Sequence, residues 1–353
     1  MTTSTPLTGG LANLADLPRF SLAQLPTPIH RLENFARHLG DIDLWVKRAD
    51  LTGLVGGGNK TRKLEFLVGD AKARGFDMLV TVGAIQSNHT RQTAAAAAKA
   101  GMKCALLHNG WTRDGGPAYR NVGNILFSNL MGAELYLDET DRPIEDEGPL
   151  TDLVAHLADQ GHKPYLIPGG ASDHPLGSYG YAVCAAEIAA QQASLGFAFD
   201  TIVHCTGSSS TQSGLLAGLA AFDSETRVIG VPDDEETEIK KARVERLANA
   251  ALEDLGASQR VASADVEIVV GDASPYGVSD ATTFDAIGLL ARTEGLIADP
   301  VYEGKAVRGL IDLARAGRFR PSSNVLLMHL GGTPATHAYA NQYGEINLRP
   351  LPA

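Results

Sequence analysis

The sequence predicts an α/β protein of two domains, with open, twisted, mostly parallel sheets covered by helices on both faces. Three observations predict it. Short β-branched runs alternate with longer helical stretches along most of the 353 residues, which is the pattern of parallel strands joined by helices. Most of the helical stretches end at or near a glycine, a common residue just past a helix C-terminus. The length, at roughly 150 residues per domain, suits two domains.

The strands are read in order as 42–48, 78–83, 103–108, 134–137 and 164–168, then 201–205, 227–232, 266–270 and 325–330. Each is a short aliphatic or β-branched run. Between them lie TRKLEFLVGDAKARG, TRQTAAAAAKAG, YAVCAAEIAAQQASLG, EIKKARVERLANAALEDLG and DAIGLLARTEG, whose periodic or Ala-rich composition predicts helices. Nine strands suit one large sheet or two smaller ones, and periodicity leaves both open. The acidic run PDDEETEIKK at 232–241 reads as the solvated start of a long helix, where acidic side chains complement the helix dipole. DETDRPIEDEG at 138–148 reads as an exposed polar connection.

Composition excludes several function classes. With 44% apolar and 20% charged residues, a packed body is expected and disorder is not. Thirty basic against 41 acidic residues leave a net charge of −11, so a nucleic acid is not expected as partner. No apolar run reaches the ~18 residues of a membrane span, and the N-terminus has no signal-peptide pattern. Cys104, Cys184 and Cys205 are odd in number and sit in apolar or small-residue runs. They read as buried free thiols of a cytoplasmic protein. No Cys or His spacing suits zinc, so no metal centre is expected.

Four Gly- or Ser-rich turns lie beside predicted strands, where open parallel sheets place ligands. In GLVGGGNKTRKLEFL, Gly56, Gly57 and Gly58 allow close backbone approach and Asn59 is a candidate cap for the helix starting near Lys60. Lys60 is either a surface lysine or, if buried, a group suited to Schiff-base chemistry, its ammonium opposed by the helix dipole. In TVGAIQSNHTRQ, Ser87 and Asn88 are either helix caps or functional groups, Ser87 a nucleophile or carboxylate-binding hydroxyl and Asn88 a hydrogen bond to a cofactor ring. His89 adds a titratable group. In HCTGSSSTQSG, residues Thr206 to Ser210 form the turn after a strand, and a helix of small residues follows Thr211. Backbone N–H groups and hydroxyls there suit a phosphate, the other reading being a Ser-capped helix with no ligand. The lysine of a P-loop and the G-x-G-x-x-G of a dinucleotide site are both missing from these turns. In the fourth, MHLGGTPATHAYA, Gly331 and Gly332 end a strand. Upstream, Tyr302 and Glu303 stand at a loop-to-helix junction and Tyr276 in a loop, each either structural or functional.

Together, a lysine after Gly-Asn, a distant hydroxyl-rich phosphate nest and αβ alternation resemble pyridoxal-phosphate enzymes of the tryptophan synthase β-chain fold (fold type II). At GGNKTRKLEFL, AIQSNHTRQTAA, ASDHPLG, ARTEGLIADPVYEGK and HLGGTPA the chain more narrowly resembles the 1-aminocyclopropane-1-carboxylate deaminase and D-cysteine desulfhydrase family, over roughly residues 18–344. The resemblance implies a cytoplasmic homodimer acting on a small amino acid. It implies a large cofactor domain (1–74 and 171–353) and a smaller one (75–170) that closes over substrate. It implies that Lys60 carries the Schiff base and Asn88 contacts the phenolic oxygen of pyridoxal 5′-phosphate. Gly207, Ser208, Ser209, Ser210 and Thr211 would hold the phosphate. Ser87, Tyr302 and Tyr276 become catalytic candidates; Ser87, Asn88, His89 and Trp111 become substrate-side candidates.

Within the family, Glu303 and Leu330 match the deaminase pattern, where desulfhydrases carry smaller hydroxyl residues at one or both. The sequences around Trp111, at 171–177 and at 299–305 are also similar to deaminases. Departures point the other way: His89 stands for a deaminase Gln, CTGSSST is closer to the desulfhydrase turn, and Ala171 replaces a Cys. A carboxylate at Glu303 beside the pyridine nitrogen would keep it protonated and deepen the electron sink. Opening a cyclopropane that has no hydrogen on Cα requires that sink; expelling a thiolate requires it less. The first expectation is therefore deamination of 1-aminocyclopropane-1-carboxylate to 2-oxobutanoate and ammonia. The alternative is β-elimination from D-cysteine or cysteate, and after it a non-catalytic protein that binds pyridoxal phosphate.

Overall fold

The computed structural model describes residues 9–110, 116–140, 142, 146–233, 236–349 and 351. Two sheets organise the chain. The larger has strands β1 (Ile29–Arg31), β2 (Ile42–Arg48), β7 (Thr201–Cys205), β8 (Arg227–Val231), β9 (Glu267–Ile268) and β10 (Ser323–His329), in the order β1-β2-β10-β7-β8-β9. The smaller has β3 (Met78–Ala84), β4 (Lys103–Asn109), β5 (Glu134–Asp138) and β6 (Pro164–Ile167), in the order β5-β4-β3-β6. Every pair is parallel except β1 with β2. The predicted α/β class with mostly parallel sheets is therefore observed, and the strands divide into two sheets. All nine expected strands are present, the 266–270 run shrinking to two residues. The tenth, β1, is a three-residue antiparallel edge strand too short for a pattern to reveal.

Parallel strands need crossovers, and helices supply them. Those expected are α2 (Lys60–Ala73), α3 (Asn88–Ala100), α6 (Tyr179–Leu195), α8 (Thr237–Asp254) and α9 (Ala281–Glu294). The helix expected after Thr211 is α7 (Ser210–Ala221), and the junction at Tyr302–Glu303 opens α10 (Glu303–Arg315). The sequence reading missed α1 (Glu33–Ala36), α4 (Gly123–Leu130), α5 (Gly148–Asp159) and α11 (Thr333–Thr336). Gly101, Gly196 and Gly295 end α3, α6 and α9 at φ 69°, 82° and 66°, a conformation that costs glycine little. Strands β3 and β7 are buried at every position, as strands covered on both faces must be. Cys104, Cys184 and Cys205 are buried free thiols. Among the described residues no helix is long and apolar enough to cross a membrane.

A buried ion cluster locks the helix that Lys60 begins. Arg62 donates to both oxygens of Glu187 at 2.9 and 3.0 Å, and Lys47 pairs with the same carboxylate. These contacts tie α2 to α6 and β2. Burial alone would push the Glu187 carboxyl up, but Arg62 and Lys47 bring it down to about 2.

Two local expectations are corrected. The acidic run at 232–241 is not solvated throughout: Asp233 and Lys240 are buried and paired at 3.3 Å, because the chain turns inward at the end of β8. Asn59 does not cap α2 through its side chain. Its amide instead donates to Thr211 Oγ1 at 3.2 Å.

Candidate active site

A cavity of about 690 Å³ opens beyond the C-terminal ends of β3, β6, β7 and β10 and draws its walls from both sheets. That is where parallel sheets place ligands. It gathers Lys60, Ser87, Asn88, His89, Gly207, Ser208, Ser209, Thr211, Tyr276, Tyr302, Glu303 and Leu330, all read from sequence. Ser210 is an exception: it does not line the cavity, since it begins α7 with its hydroxyl turned to Lys63. Trp111 lies outside the described residues.

Lys60 is placed by the turn before it. A Cβ on Gly57, at φ 60°, would fall 1.8 Å from the Asp50 carbonyl, so only glycine lets this loop fold so tightly. Asn59 N–H then donates to the Leu330 carbonyl at 2.9 Å, and Thr61 N–H to Gln92 Oε1 at 2.9 Å, which pin α2 to β10 and α3. Burial lowers the Lys60 pKa, against the pull of acidic groups around it. Lys60 is half-buried on the cavity wall, so it is not the exposed surface lysine of the other reading.

Ser87 is a helix cap as well as a cavity residue. Its oxygen accepts from His89 N–H at 3.1 Å and Thr90 N–H at 3.3 Å, which leaves its own O–H to donate. His89 is held in one tautomer. Thr81 Oγ1 spends its hydrogen on the Ile167 carbonyl at 2.7 Å, so the ring nitrogen 2.9 Å away, Nε2, must donate to it. Nδ1 is then a bare acceptor, and it has no partner among the described residues. Burial and then the charge of Lys60 hold the His89 pKa well below 6.5, so the ring is neutral.

The turn after β7 has features that suit an anion. Ser209 sits at φ 61°, a strained backbone for a serine, and starts the 12-residue helix α7. The buried hydroxyls of Thr206 and Ser209 have no partner among the described residues. Lys63 Nζ donates to Ser208 Oγ at 3.0 Å and Ser210 Oγ at 2.8 Å. Lys240 Nζ donates to the Gly207 carbonyl at 2.7 Å. A Cβ on Gly207 would meet Asp233 Oδ2 at 2.7 Å. Orphaned hydroxyls, a helix N-terminus and two buried lysines fit a phosphate.

Across the cavity, Tyr276 and Tyr302 share a hydrogen bond of 2.5 Å between their phenol oxygens. Burial, and then Tyr276, push the Tyr302 phenol well above 10. Glu303 does not cap α10. Asp299 does: its carboxylate accepts from the N–H groups of Val301 at 2.9 Å, Tyr302 at 3.0 Å and Glu303 at 3.3 Å. Glu303 Oε2 instead accepts from Leu330 N–H at 2.9 Å. Burial and then Asp299 push its carboxyl well above 4.5. A buried acid in that state is suited to share a proton with a ring nitrogen.

Sequence reasoning missed Lys63, Asp233, Lys240 and Asp299. Lys63 had a signal, since it stands three residues after Lys60 on the same helix face. Asp299 precedes Pro300 in the turn that leads into α10, where a carboxylate can collect free N–H groups. Asp233 and Lys240 had none, because their acidic surroundings read as surface.

The family model described as pyridoxal-phosphate dependent enzyme matches residues 20–331. A 1-aminocyclopropane-1-carboxylate deaminase of Burkholderia vietnamiensis is 44% identical over 336 residues, 94% of this chain and 99% of that protein. The deaminase of Burkholderia ambifaria is 45% identical over 331 residues, 93% of this chain and 98% of its own. Among solved structures, an ACC deaminase homologue superimposes with a TM-score of 0.85 at 35% identity, covering 97% of this chain and 99% of that one. An O-ureido-L-serine synthase, at TM-score 0.61 and 20% identity over 94% and 92% of the two chains, shares the fold. By the family match over residues 20–331 and 44–45% identity to relatives along nearly their full length, the chain belongs to the family of pyridoxal-phosphate dependent enzymes.

Proposed function

We propose that this protein is a deaminase that converts 1-aminocyclopropane-1-carboxylate and water to 2-oxobutanoate and ammonia. The observation that carries the reading is Glu303, buried and bonded to Leu330 rather than to its own helix, in a chain whose full-length relatives are named for that activity. Pyridoxal 5′-phosphate supplies the electron sink for the carbanion left at Cα. Lys60 would hold it, the turn Gly207–Thr211 with Lys63 would hold its phosphate, and Glu303 its ring nitrogen. Ser210 takes part through Lys63. Asn88 would meet its phenolic oxygen.

Substrate is positioned by the chain's own groups. The unspent O–H of Ser87 is a donor for the substrate carboxylate, and His89 Nδ1 is a fixed neutral acceptor. Burial lowers the Lys60 pKa, which eases proton exchange at Nζ. Tyr302, a neutral phenol, supplies a proton through its oxygen, with Tyr276 as its partner. Trp111 is a further candidate on the substrate side. The unit of residues 75–170 would close over this site, which excludes water; the enzyme would work as a cytoplasmic homodimer.

His89 and the three serines Ser208 to Ser210 favour a second reading, β-elimination from D-cysteine or cysteate. Offering the purified protein each substrate separately, with assays for oxo acid, sulfide and sulfite, tests both. The expected result is 2-oxobutanoate from the cyclopropane. A protein inert towards it but active on D-cysteine or cysteate overturns the first reading. Borohydride reduction and peptide mapping should place the pyridoxyl label on Lys60; a label on Lys63 or Lys305 would reassign the lysine.

A further inference from the structure

We propose that Arg91 and Asn124 are positioning residues that fix the side-chain amide of Asn88 with its nitrogen as the donor to an anionic cofactor oxygen. The proposal rests on the reading above, that Asn88 meets the phenolic oxygen, and adds what determines which end of the amide does so.

The assignment follows from a hydrogen-bond chain with one possible direction. Arg91 only donates, since a guanidinium has no acceptor. Its Nε donates to Asn124 Oδ1 at 2.6 Å, which identifies that atom as the oxygen. The other end of the Asn124 amide is then Nδ2, and it donates to the Gln86 carbonyl at 2.7 Å and to Asn88 Oδ1 at 2.9 Å. A donor at that position requires the oxygen of Asn88 to face it. Asn88 Nδ2 is what remains for a ligand, and Asn88 lines the cavity. Asn124 is itself held in place, for its backbone N–H donates to Gln86 Oε1 at 2.9 Å, and Gln86 Nε2 donates to the Val122 carbonyl at 2.9 Å.

The other arm of Arg91 reaches the lysine loop. Its terminal nitrogens donate to the carbonyls of Val55 and, at 2.9 Å, of Gly57, just before Asn59 and Lys60. The guanidinium is fully buried, and burial brings its pKa down to about 10, which still leaves it charged at neutral pH. One buried cation thus holds both the loop that presents Lys60 and the amide that would meet the cofactor.

The test reads the visible absorbance of the holoenzyme against pH, which reports the proton on the lysine–cofactor linkage. A donor to the neighbouring phenolate stabilises the deprotonated form, so losing the donor raises the midpoint. Asn124→Asp turns the donor into an acceptor. Asn88 must then rotate its amide and present oxygen to the phenolate. A rise of about one pH unit or more is expected, the size of one hydrogen bond to a charged group. Arg91→Lys keeps the charge but loses the fork that orders Asn124, and should raise the midpoint by less. Wild-type midpoints in the two folded variants overturn the proposal. Failure of both variants to fold overturns it too, by making the two residues structural. Should wild type take no label at Lys60 on borohydride reduction, the functional reading beneath has failed and the proposal falls with it. A labelled wild type with unmoved variant midpoints sinks the proposal alone.

Discussion

The phenol oxygens of Tyr276 and Tyr302 lie 2.5 Å apart on the wall of the cavity that Lys60 also lines. In such a contact one phenol donates its hydrogen to the other. Burial and then Tyr276 push the Tyr302 phenol well above 10. A phenol held protonated in this way would serve as a proton donor rather than a base.

Tyr302→Phe should lower kcat by about 10²–10⁴, the usual range for one acid–base group. Tyr276→Phe removes a single neutral hydrogen bond and should cost roughly tenfold. Both should keep the cofactor's absorbance. Near-full turnover in Tyr302→Phe with cofactor bound would remove the pair from the chemistry.

The anion turn makes a graded prediction. Ser209→Ala removes one neutral donor and should weaken cofactor binding by about 0.5–1.5 kcal/mol. Gly207→Val should do far more, because even a Cβ at 207 meets Asp233 Oδ2 at 2.7 Å. Cofactor titration by fluorescence measures both. Unchanged affinity in Gly207→Val would move the phosphate elsewhere.

The buried cluster beneath Lys60 predicts a stability change with a defined pH dependence. The Glu187 carboxyl is held at about 2, below its usual 4.5, chiefly by Arg62 against the cost of burial. A depressed carboxylate stabilises the fold above the unfolded pKa and loses that contribution as pH falls through the folded one. Glu187→Gln leaves Arg62 and Lys47 buried without their carboxylate and should cost about 3–5 kcal/mol at neutral pH. The gap to wild type should narrow between pH 4.5 and about 2. Urea unfolding at several pH values checks it; a gap that stays constant into acid would deny the cluster its ionic character.

Much of the fold was legible because buried parallel strands are continuous aliphatic runs, and β3 and β7 are buried at every residue. Glycine made helix ends visible at Gly101, Gly196 and Gly295 for a backbone reason that sequence carries directly. What stayed hidden were pairings across long separations. Asp233 and Lys240 stand in a run whose composition reads as solvated, and only the return of the chain over Gly207 buries them. Asn124 lies in GNILFSNL, a helix with no chemical signal, yet it touches Asn88 from 36 residues away. Glu303 was readable as a helix cap until Asp299 took that role.

That last exchange of roles carries a prediction about which reaction is run. Since Asp299 satisfies the start of α10, Glu303 is free to hold Leu330 N–H and to offer its carboxyl to a ring nitrogen. Its pKa is raised by burial and then by Asp299. Lys60 offsets only part of this rise, so the carboxyl keeps a proton that it would share with a pyridine nitrogen bound beside it. Leu330 closes the pocket with no hydroxyl to compete. Glu303→Ser with Leu330→Thr should weaken the electron sink and lower cyclopropane opening about 10²-fold or more, on the scale of losing one electrostatic stabiliser. Expulsion of a thiolate from D-cysteine needs less of the ring and should fall by less than tenfold. A merely structural Glu303 predicts otherwise: the variant would lose stability, and both activities would fall together. Parallel kinetics on the two substrates, with a melting curve for each protein, separate the outcomes. Equal losses on both substrates with a lowered Tm would return Glu303 to the scaffold and leave His89 and Ser208–Ser210 as the guide to substrate.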